Sequence, residues 1–258
     1  MQRFSGKVVV VTGASRGLGQ AIALAFAQEG ARVVGLARTS QADTTVQARA
    51  ASGDFVPVEA DVGSGSQADL SSLVATIVAR TGRIDVLVNN AGIIRRARAE
   101  EHSEKDWEDV IRTNLTGPFF LTQAVAREWL QSHKDASAAT SRLKIVFIAS
   151  MLSFQGGVLV PAYTASKHGI AGLTKALANE WAPRGINVNA IAPGYVATES
   201  TRALREDPKR SQAILERIPE ARWGKPEDVA GGCLFLASPE ADYLNGAILN
   251  IDGGWLAR

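Results

Sequence analysis

Seven short apolar runs punctuate the chain, at residues 7–12, 31–37, 55–59, 84–89, 144–149, 186–192 and 246–251. They are rich in Val and Ile and mostly lack polar alternation, as in KVVVVT, IDVLVN and KIVFIA. Continuous apolar strands of this length are buried on both faces. Between them lie stretches with apolar residues at helical spacing, at about 18–29, 67–80, 104–114, 117–131, 162–181 and 226–236. Strand and helix alternate, so the pattern predicts an α/β fold: a doubly wound, Rossmann-like parallel sheet of seven strands with helices on both faces. No internal repeat or linker divides residues 1–258, which read as a single dinucleotide-binding catalytic domain.

Two stretches break the alternation. Residues 132–143 (SHKDASAATSRL) are polar and rich in Ala and Ser, and read as an exposed loop. Residues 194–223 mix Pro, Arg, Glu and Trp and leave the sixth strand at its carboxyl end. Ligands of open α/β sheets bind outside those ends, which makes 194–223 a candidate substrate lid.

Composition narrows the function. The chain has 258 residues and a formal net charge of +2, without the one-sided basic surface that nucleic acid needs. No run reaches the roughly 18 apolar residues of a membrane span. One cysteine, Cys233, sits in an apolar run, so no disulfide can form within the chain. The start, MQRFSGKVVVV, has no secretory pattern, and a reducing cytoplasm is the expected setting. His102 and His168 have no metal-ligand spacing with other residues, and no metal site is expected.

The chemistry-bearing motifs follow strand ends. The first strand runs into Gly13, Ser15, Arg16, Gly17, Leu18 and Gly19, then a helix. The spacing is GxxxGxG rather than GxGxxG, but it serves the same end: glycines let backbone approach a pyrophosphate held at a helix N-terminus. The second strand ends in Ala37-Arg38, with no acid to hold a free ribose 2′-hydroxyl. Arg38 with Arg16 suits a 2′-phosphate, which favours NADP and leaves NAD possible. Asp61 and Val62 after the third strand face the adenine edge, and Asn90, Ala91 and Gly92 after the fourth form a wall beside the cofactor.

Tyr163 and Lys167 lie four residues apart in a predicted helix and therefore share a face. Alone, YxxxK is common by chance. Here TGASRGLG (12–19), NNAG (89–92), Asn114, Ser150, YTASK (163–167) and PGYVAT (193–198) occur together over nearly the whole chain. In these motifs the sequence resembles the short-chain dehydrogenase/reductase family. The resemblance implies Tyr163 as proton donor or acceptor and Ser150 as the hydroxyl that holds the reacting oxygen. It also implies that Lys167 grips the nicotinamide ribose and that Asn114 anchors a water relay to Lys167. Pro193, Gly194, Val196 and Thr198 would close over the nicotinamide. An ammonium beside a phenol lowers its pKa, which is the expected effect of Lys167 on Tyr163.

A finer likeness lies on the substrate side. NNAGIIRR (89–96), SEKDW (103–107), ASMLSFQGG (149–157), RIPEARWG (217–224) and DGGWLAR (252–258) are similar to a subgroup of sugar-acid enzymes. These are the 2-deoxy-D-gluconate 3-dehydrogenases, also described as 2-dehydro-3-deoxy-D-gluconate 5-dehydrogenases. That subgroup is associated with NAD, whereas Arg16 and Arg38 argue for NADP. The likeness implies a sugar acid as substrate, with Arg95 and Arg96 as candidates for holding its carboxylate. The competing readings are a 3-oxoacyl-carrier-protein reductase or another carbonyl reductase, and a non-catalytic dinucleotide sensor. A sensor has no need of the intact set Asn114, Ser150, Tyr163 and Lys167. Trp255-Leu256 reads as an exposed apolar end, best covered by an interface; the family is commonly a homotetramer.

Overall fold

The computed structural model describes residues 2–133 and 141–258. The expected exposed loop at 132–143 therefore lies mostly outside the described residues. Those residues form seven strands: β1 (Val8–Thr12), β2 (Arg32–Ala37), β3 (Asp54–Glu59), β4 (Val86–Asn89), β5 (Leu143–Ile148), β6 (Ile186–Pro193) and β7 (Ile248–Ile251). They make one sheet in the order β3-β2-β1-β4-β5-β6-β7. Every pair is parallel. The order reverses between β1 and β4, and a crevice opens there at the strands' carboxyl ends.

The sheet divides the core in two. On one face, Val8 and Val10 of β1 pack with helices α3 (Gln67–Thr81), α5 (Gly117–Ser132) and α6 (Pro161–Trp181). On the other, Val9 and Val11 pack with α1 (Gly17–Gln28) and α9 (Pro226–Ala237). Successive side chains of a strand point to opposite faces, so a double-sided core requires the unbroken Val run. Cys233 lies wholly buried in the second cluster, where desolvation pushes its thiol far above the ordinary range.

Helix ends carry their own signals. Ser66 and Asp69 form a reciprocal capping box at the start of α3, and Gly82 ends it in the left-handed conformation. Pro161 opens α6, where its missing N–H costs nothing. The expected gap between helices 104–114 and 117–131 is instead continuous helix. Helix α4 (Glu104–Ile111) passes through a π-turn, Arg112–Thr116, into α5. Gly117 fits there because a Cβ would stand 2.0 Å from the Val62 carbonyl oxygen.

Three further expectations need correction. Helix α2 (Ala42–Ala50) went unread because it buries only Thr44 and Ala48 and has no apolar stripe. The segment 194–223 is not irregular: it carries α7 (Arg202–Glu206) and α8 (Pro208–Arg217). Asp207 caps α8 by accepting from the Arg210 N–H, and Pro208 takes its first position. Trp255 is not an exposed end. It is 5 % exposed and packs with Met151, Ile214 and Ile218, because Gly253 and Gly254 turn the chain back under α8.

Among the described residues no helix is long and apolar enough to cross a membrane. None of their His, Cys, Asp and Glu side chains group in threes as a metal would need.

Candidate active site

The glycine loop joins β1 to α1 and is braced from β4. Thr12 Oγ1 accepts from the Asn90 and Ala91 N–H groups, each at 2.9 Å. Asn90 Nδ2 donates back to the Thr12 carbonyl at 2.8 Å. Gly13 has φ +69°, and a Cβ at Gly19 would stand 2.1 Å from the Gly13 oxygen, so both positions exclude a side chain. Asn90 thus holds the loop itself, while Ala91 lies against Gly13 and Gly92 against the Asn114 side chain.

The start of α1 is suited to an anion. Its N-cap, Arg16, makes no side-chain cap, and the first turn has no acidic residue. The N–H groups at that end therefore lack a side-chain acceptor, and the helix dipole adds positive potential. Ser15 and Thr39 hydroxyls bond at 3.0 Å beside Arg16 and Arg38. Arg38 is not free: its guanidinium meets Asp61 Oδ2 at 3.4 Å, and Asp61 Oδ1 accepts from the Gly63 N–H. Val62 is buried behind Asp61. Thr198, from the segment after β6, has its methyl 3.8 Å from where a Gly17 Cβ would be. The loop after β6 therefore closes on the glycine loop, with Pro193 ending β6, Gly194 packed on Asp252, and Val196 bridging to Gly224. The residues fit a dinucleotide: backbone donors for a pyrophosphate, and hydroxyls and two guanidiniums for a ribose phosphate.

Four side chains converge at the ends of β4, β5 and the start of α6. Ser150 follows β5, and its Oγ accepts from the Leu152 N–H at 3.1 Å. Tyr163 and Lys167 lie one turn apart on α6, with the ammonium 5.5 Å from the phenol ring centre. Lys167 Nζ donates to the Ile148 carbonyl at 2.6 Å. Asn114, in the π-turn, spends its amide on Ile93: Oδ1 accepts from the Ile93 N–H at 2.8 Å and Nδ2 donates to the Ile93 oxygen at 2.9 Å. Nδ2 also reaches Ser166 Oγ at 3.2 Å. Pro118 has no N–H to offer the Asn114 main-chain carbonyl four residues back, so that oxygen lacks its α-helical donor.

Electrostatics differ from the expectation at one point. Tyr163 is not depressed; burial raises its pKa, and the Ser150 hydroxyl and the Arg96 charge oppose the rise. Lys167 does not offset that burial, because it is itself buried and turned to Ile148. Desolvation lowers it from 10.5 to about 8. At neutral pH the site therefore holds a protonated phenol beside an ammonium, a pair that can give up a proton to a developing alkoxide.

The two candidate arginines separate. Arg95 is tied to Asp106 at 3.2 Å. Arg96 forms no ion pair among the described residues, and its charge opposes the burial-driven rise of both the Tyr163 and the Tyr195 phenol. Sequence reasoning passed over Tyr195, whose ring packs edge-on against Trp223 and Trp255. Its place immediately after Pro193-Gly194 was the signal available. A cavity of about 380 Å³ lies behind it, lined by Ile218, Glu220, Arg222 and Gly253 among others; Tyr163 is not in its wall.

Comparison with known proteins agrees with this geometry. The profile of the family described as enoyl-(acyl carrier protein) reductase matches residues 13–256. The chain is similar to the 2-dehydro-3-deoxy-D-gluconate 5-dehydrogenase of Escherichia coli (strain K12), 49% identical over 253 residues, 98% of this chain and 96% of that one. A 3-oxoacyl-[acyl-carrier-protein] reductase of Synechocystis is 41% identical over 98% of each chain. Among solved structures, an Agrobacterium tumefaciens protein assigned as a 2-deoxy-D-gluconate 3-dehydrogenase was crystallised with bound NADP. It is 52% identical, superposes with a TM-score of 0.90, and 98% of each chain is covered.

Proposed function

We propose, from the premise that the chain belongs to the short-chain dehydrogenase/reductase family, that it interconverts a keto and a hydroxy group of a sugar acid. The substrate is of the 2-dehydro-3-deoxy-D-gluconate type, and the cofactor is NADP(H), with NAD(H) as the weaker partner. The observation that carries this reading is the joint placement of Ser150, Tyr163 and Lys167, with the charge of Arg96 reaching the Tyr163 phenol. The runner-up, 3-oxoacyl-carrier-protein reduction, leaves Arg96 without a carboxylate to meet.

Gly13, Ser15, Gly17, Leu18 and Gly19 would hold the pyrophosphate, Arg16 and Arg38 the 2′-phosphate, and Asp61 with Val62 the adenine. Ala91, Gly92, Val196 and Thr198 would flank the nicotinamide, and Lys167 its ribose. When bound, the nicotinamide supplies hydride to the carbonyl carbon or accepts it from the carbinol. In the reductive direction Tyr163 gives its hydroxyl proton to the oxygen as negative charge develops there. Ser150 donates a hydrogen bond to the same oxygen and fixes its position. Once released from Ile148 to the nicotinamide ribose, the Lys167 ammonium would stabilise the phenolate that remains, and the Asn114 carbonyl would hold a water through which Lys167 passes a proton back. The oxidative direction reverses each transfer.

Residues 1–258 act as one domain in this reading, and 194–223 is its lid. The protein assembles as a homotetramer in the cytoplasm. Support for self-contact comes from Tyr243, fully exposed, and Phe235 on α9, 41 % exposed, close to the sheet's last strand, β7. Cofactor absorbance tests the activity, using NADPH and NADH with the keto forms of sugar acids, neutral sugars and a 3-oxoacyl thioester. The sugar acid should lead. Tyr163→Phe should cost roughly 10²–10⁴-fold in kcat/KM with cofactor affinity nearly unchanged. A variant retaining a tenth of the activity would remove Tyr163 from the chemistry.

A further inference from the structure

Helix α8 carries two arginines in register with its buried residue. Arg210 and Arg217 are seven residues apart, with Ile214 four residues after the first. That spacing puts all three on one stripe. Ile214 is buried with Met151, Ile218 and Trp255, so the stripe faces inward, onto the wall that begins one residue after Ser150. The Arg217 guanidinium stands 4.0 Å over the Trp255 ring. Trp255 in turn meets the Tyr195 ring edge-on at 4.9 Å and donates its indole N–H to Gln155. Arg258 donates to the Glu216 and Arg217 carbonyls and ties the end of α8 to the end of the chain. Arg217 is thus held in place from below and from behind.

Arg217 neighbours the Tyr195 phenol through Trp255, and the charges of Arg210 and Arg96 reach the same phenol. Burial raises the Tyr195 pKa, and Arg210, Arg217 and Arg96 each oppose that rise. Among the described residues none of the three has a carboxylate partner. Their neighbours do: Arg95 pairs with Asp106, Arg202 with Glu199, and Arg222 with Asp228 and Glu220. Solvated surface charges would account for any one of the three. They do not account as readily for three like charges without carboxylate partners that all act on one hydroxyl. A compact anion would relieve their repulsion, and a carboxylate matches the guanidinium fork.

We propose that Arg210 and Arg217 of α8, together with Arg96 and the Tyr195 hydroxyl, receive the substrate carboxylate while the reacting carbon of the same molecule lies at Tyr163. The proposal rests on the sugar-acid reading above and makes two lid residues the source of its selectivity.

The test compares Arg217→Met and Arg210→Met, singly, with the wild type. The substrates are 2-dehydro-3-deoxy-D-gluconate and an analogue whose carboxylate is replaced by a hydroxymethyl group. For the acid, kcat/KM should fall about 10–100-fold, mainly through KM, as loss of a charge-assisted bond predicts. Turnover of the neutral analogue and NADP affinity by fluorescence titration should stay unchanged. Arg217→Lys should recover only part of the loss, because an ammonium lacks the fork. D-Gluconate titrated calorimetrically into the NADP-saturated protein reads the receptor separately from turnover. If both variants keep the wild-type ratio of acid to neutral turnover and bind D-gluconate as tightly, the receptor lies elsewhere and the proposal is overturned. If the wild type prefers a 3-oxoacyl thioester, the sugar-acid reading fails. D-Gluconate binding lost in Arg217→Met would still uphold the anion receptor, and no D-gluconate binding in the wild type would overturn it.

Discussion

Replacing Lys167 by Met should change stability in a way that depends on pH, most favourably to the variant near neutrality. Lys167 is buried on α6, donates to the Ile148 carbonyl, and burial alone lowers its pKa from 10.5 to about 8. In the unfolded chain it regains the ordinary value. Between pH 8 and 10.5 the unfolded state therefore binds more protons, and the contribution of this group to stability rises with pH across that window. Below pH 8 both states are charged and the penalty is complete. The shift is 10.5 minus 8, or 2.5. At about 1.36 kcal/mol per unit, linkage makes the penalty roughly 3 kcal/mol at pH 7, about 2 at pH 9 and under about 1 at pH 10. Methionine fills similar space without the charge. It forfeits the bond to Ile148, which shifts the whole curve but does not tilt it. The variant's stability relative to wild type should therefore fall by about 1 kcal/mol between pH 7 and pH 9. Urea unfolding at pH 7, 8 and 9, at one protein concentration, measures it; the other ionisable groups are common to both proteins and cancel. A difference that stays flat, or grows with pH, would mean that the ammonium is not desolvated, and the reasoning would fall.

The cofactor preference should reverse from NADP(H) to NAD(H) in Ala37→Asp combined with Arg38→Ala, read as dissociation constants for both; a wild type that already favours NAD(H) would turn Arg16 and Arg38 into solvent charges. Gly19→Ala should weaken cofactor binding at least about tenfold, because its Cβ would stand 2.1 Å from the Gly13 oxygen and must displace the loop. Unchanged affinity by fluorescence titration would put the phosphate cradle elsewhere. Arg96→Met should lower kcat/KM for the acid about 10–100-fold while Arg95→Met stays near wild type, since Arg95 is engaged by Asp106. Equal losses in both would contradict the separation of the two side chains.

What was legible in the sequence follows burial. Four of the seven strands, β1, β4, β5 and β6, are runs such as VVVVT and LKIVFI whose every residue is buried, and that leaves an unambiguous apolar signal. Helix α2 buries two residues of nine and leaves almost none. Helix α8 was written in Asp207-Pro208 rather than in periodicity, and surrounding arginines hid it. The motifs placed Ser150, Tyr163, Lys167 and Asn114 because each has a fixed offset from a strand end or a helix start. They did not convey direction. Lys167 shares a face with Tyr163, as its spacing requires, yet its ammonium is spent on Ile148. Trp255 was misread because exposure at a chain end depends on whether the chain turns back, which Gly253-Gly254 permits but does not announce.

Chemistry and selectivity are divided between elements of different rigidity, and the physical reason is visible in the bonds. Tyr163, Lys167 and Asn114 stand on long helices, and Ser150 caps a turn at the end of a fully buried strand. Proton transfer needs that fixity, since a displacement of about 1 Å is costly. The segment 194–223, proposed above as a lid, is built otherwise. Two short, mostly exposed helices hang from a neck formed by the Val196–Gly224 bridge and the bonds of Tyr195 and Ala197 to Gly224. A small satellite cluster, Ile214 and Ile218 against Met151 and Trp255, holds the unit apart from the two main cores, so its opening costs less than unpacking either and a ligand can bias it. Thr198, at the inner edge of the neck, lies against Gly17 of the phosphate loop. A dinucleotide seated on that loop would therefore touch the base of the lid before any substrate arrives. Binding in that order gives the arginines of α8 a positioned neck to close from, and makes the affinity for an acidic substrate higher in the cofactor-loaded protein than in the empty one.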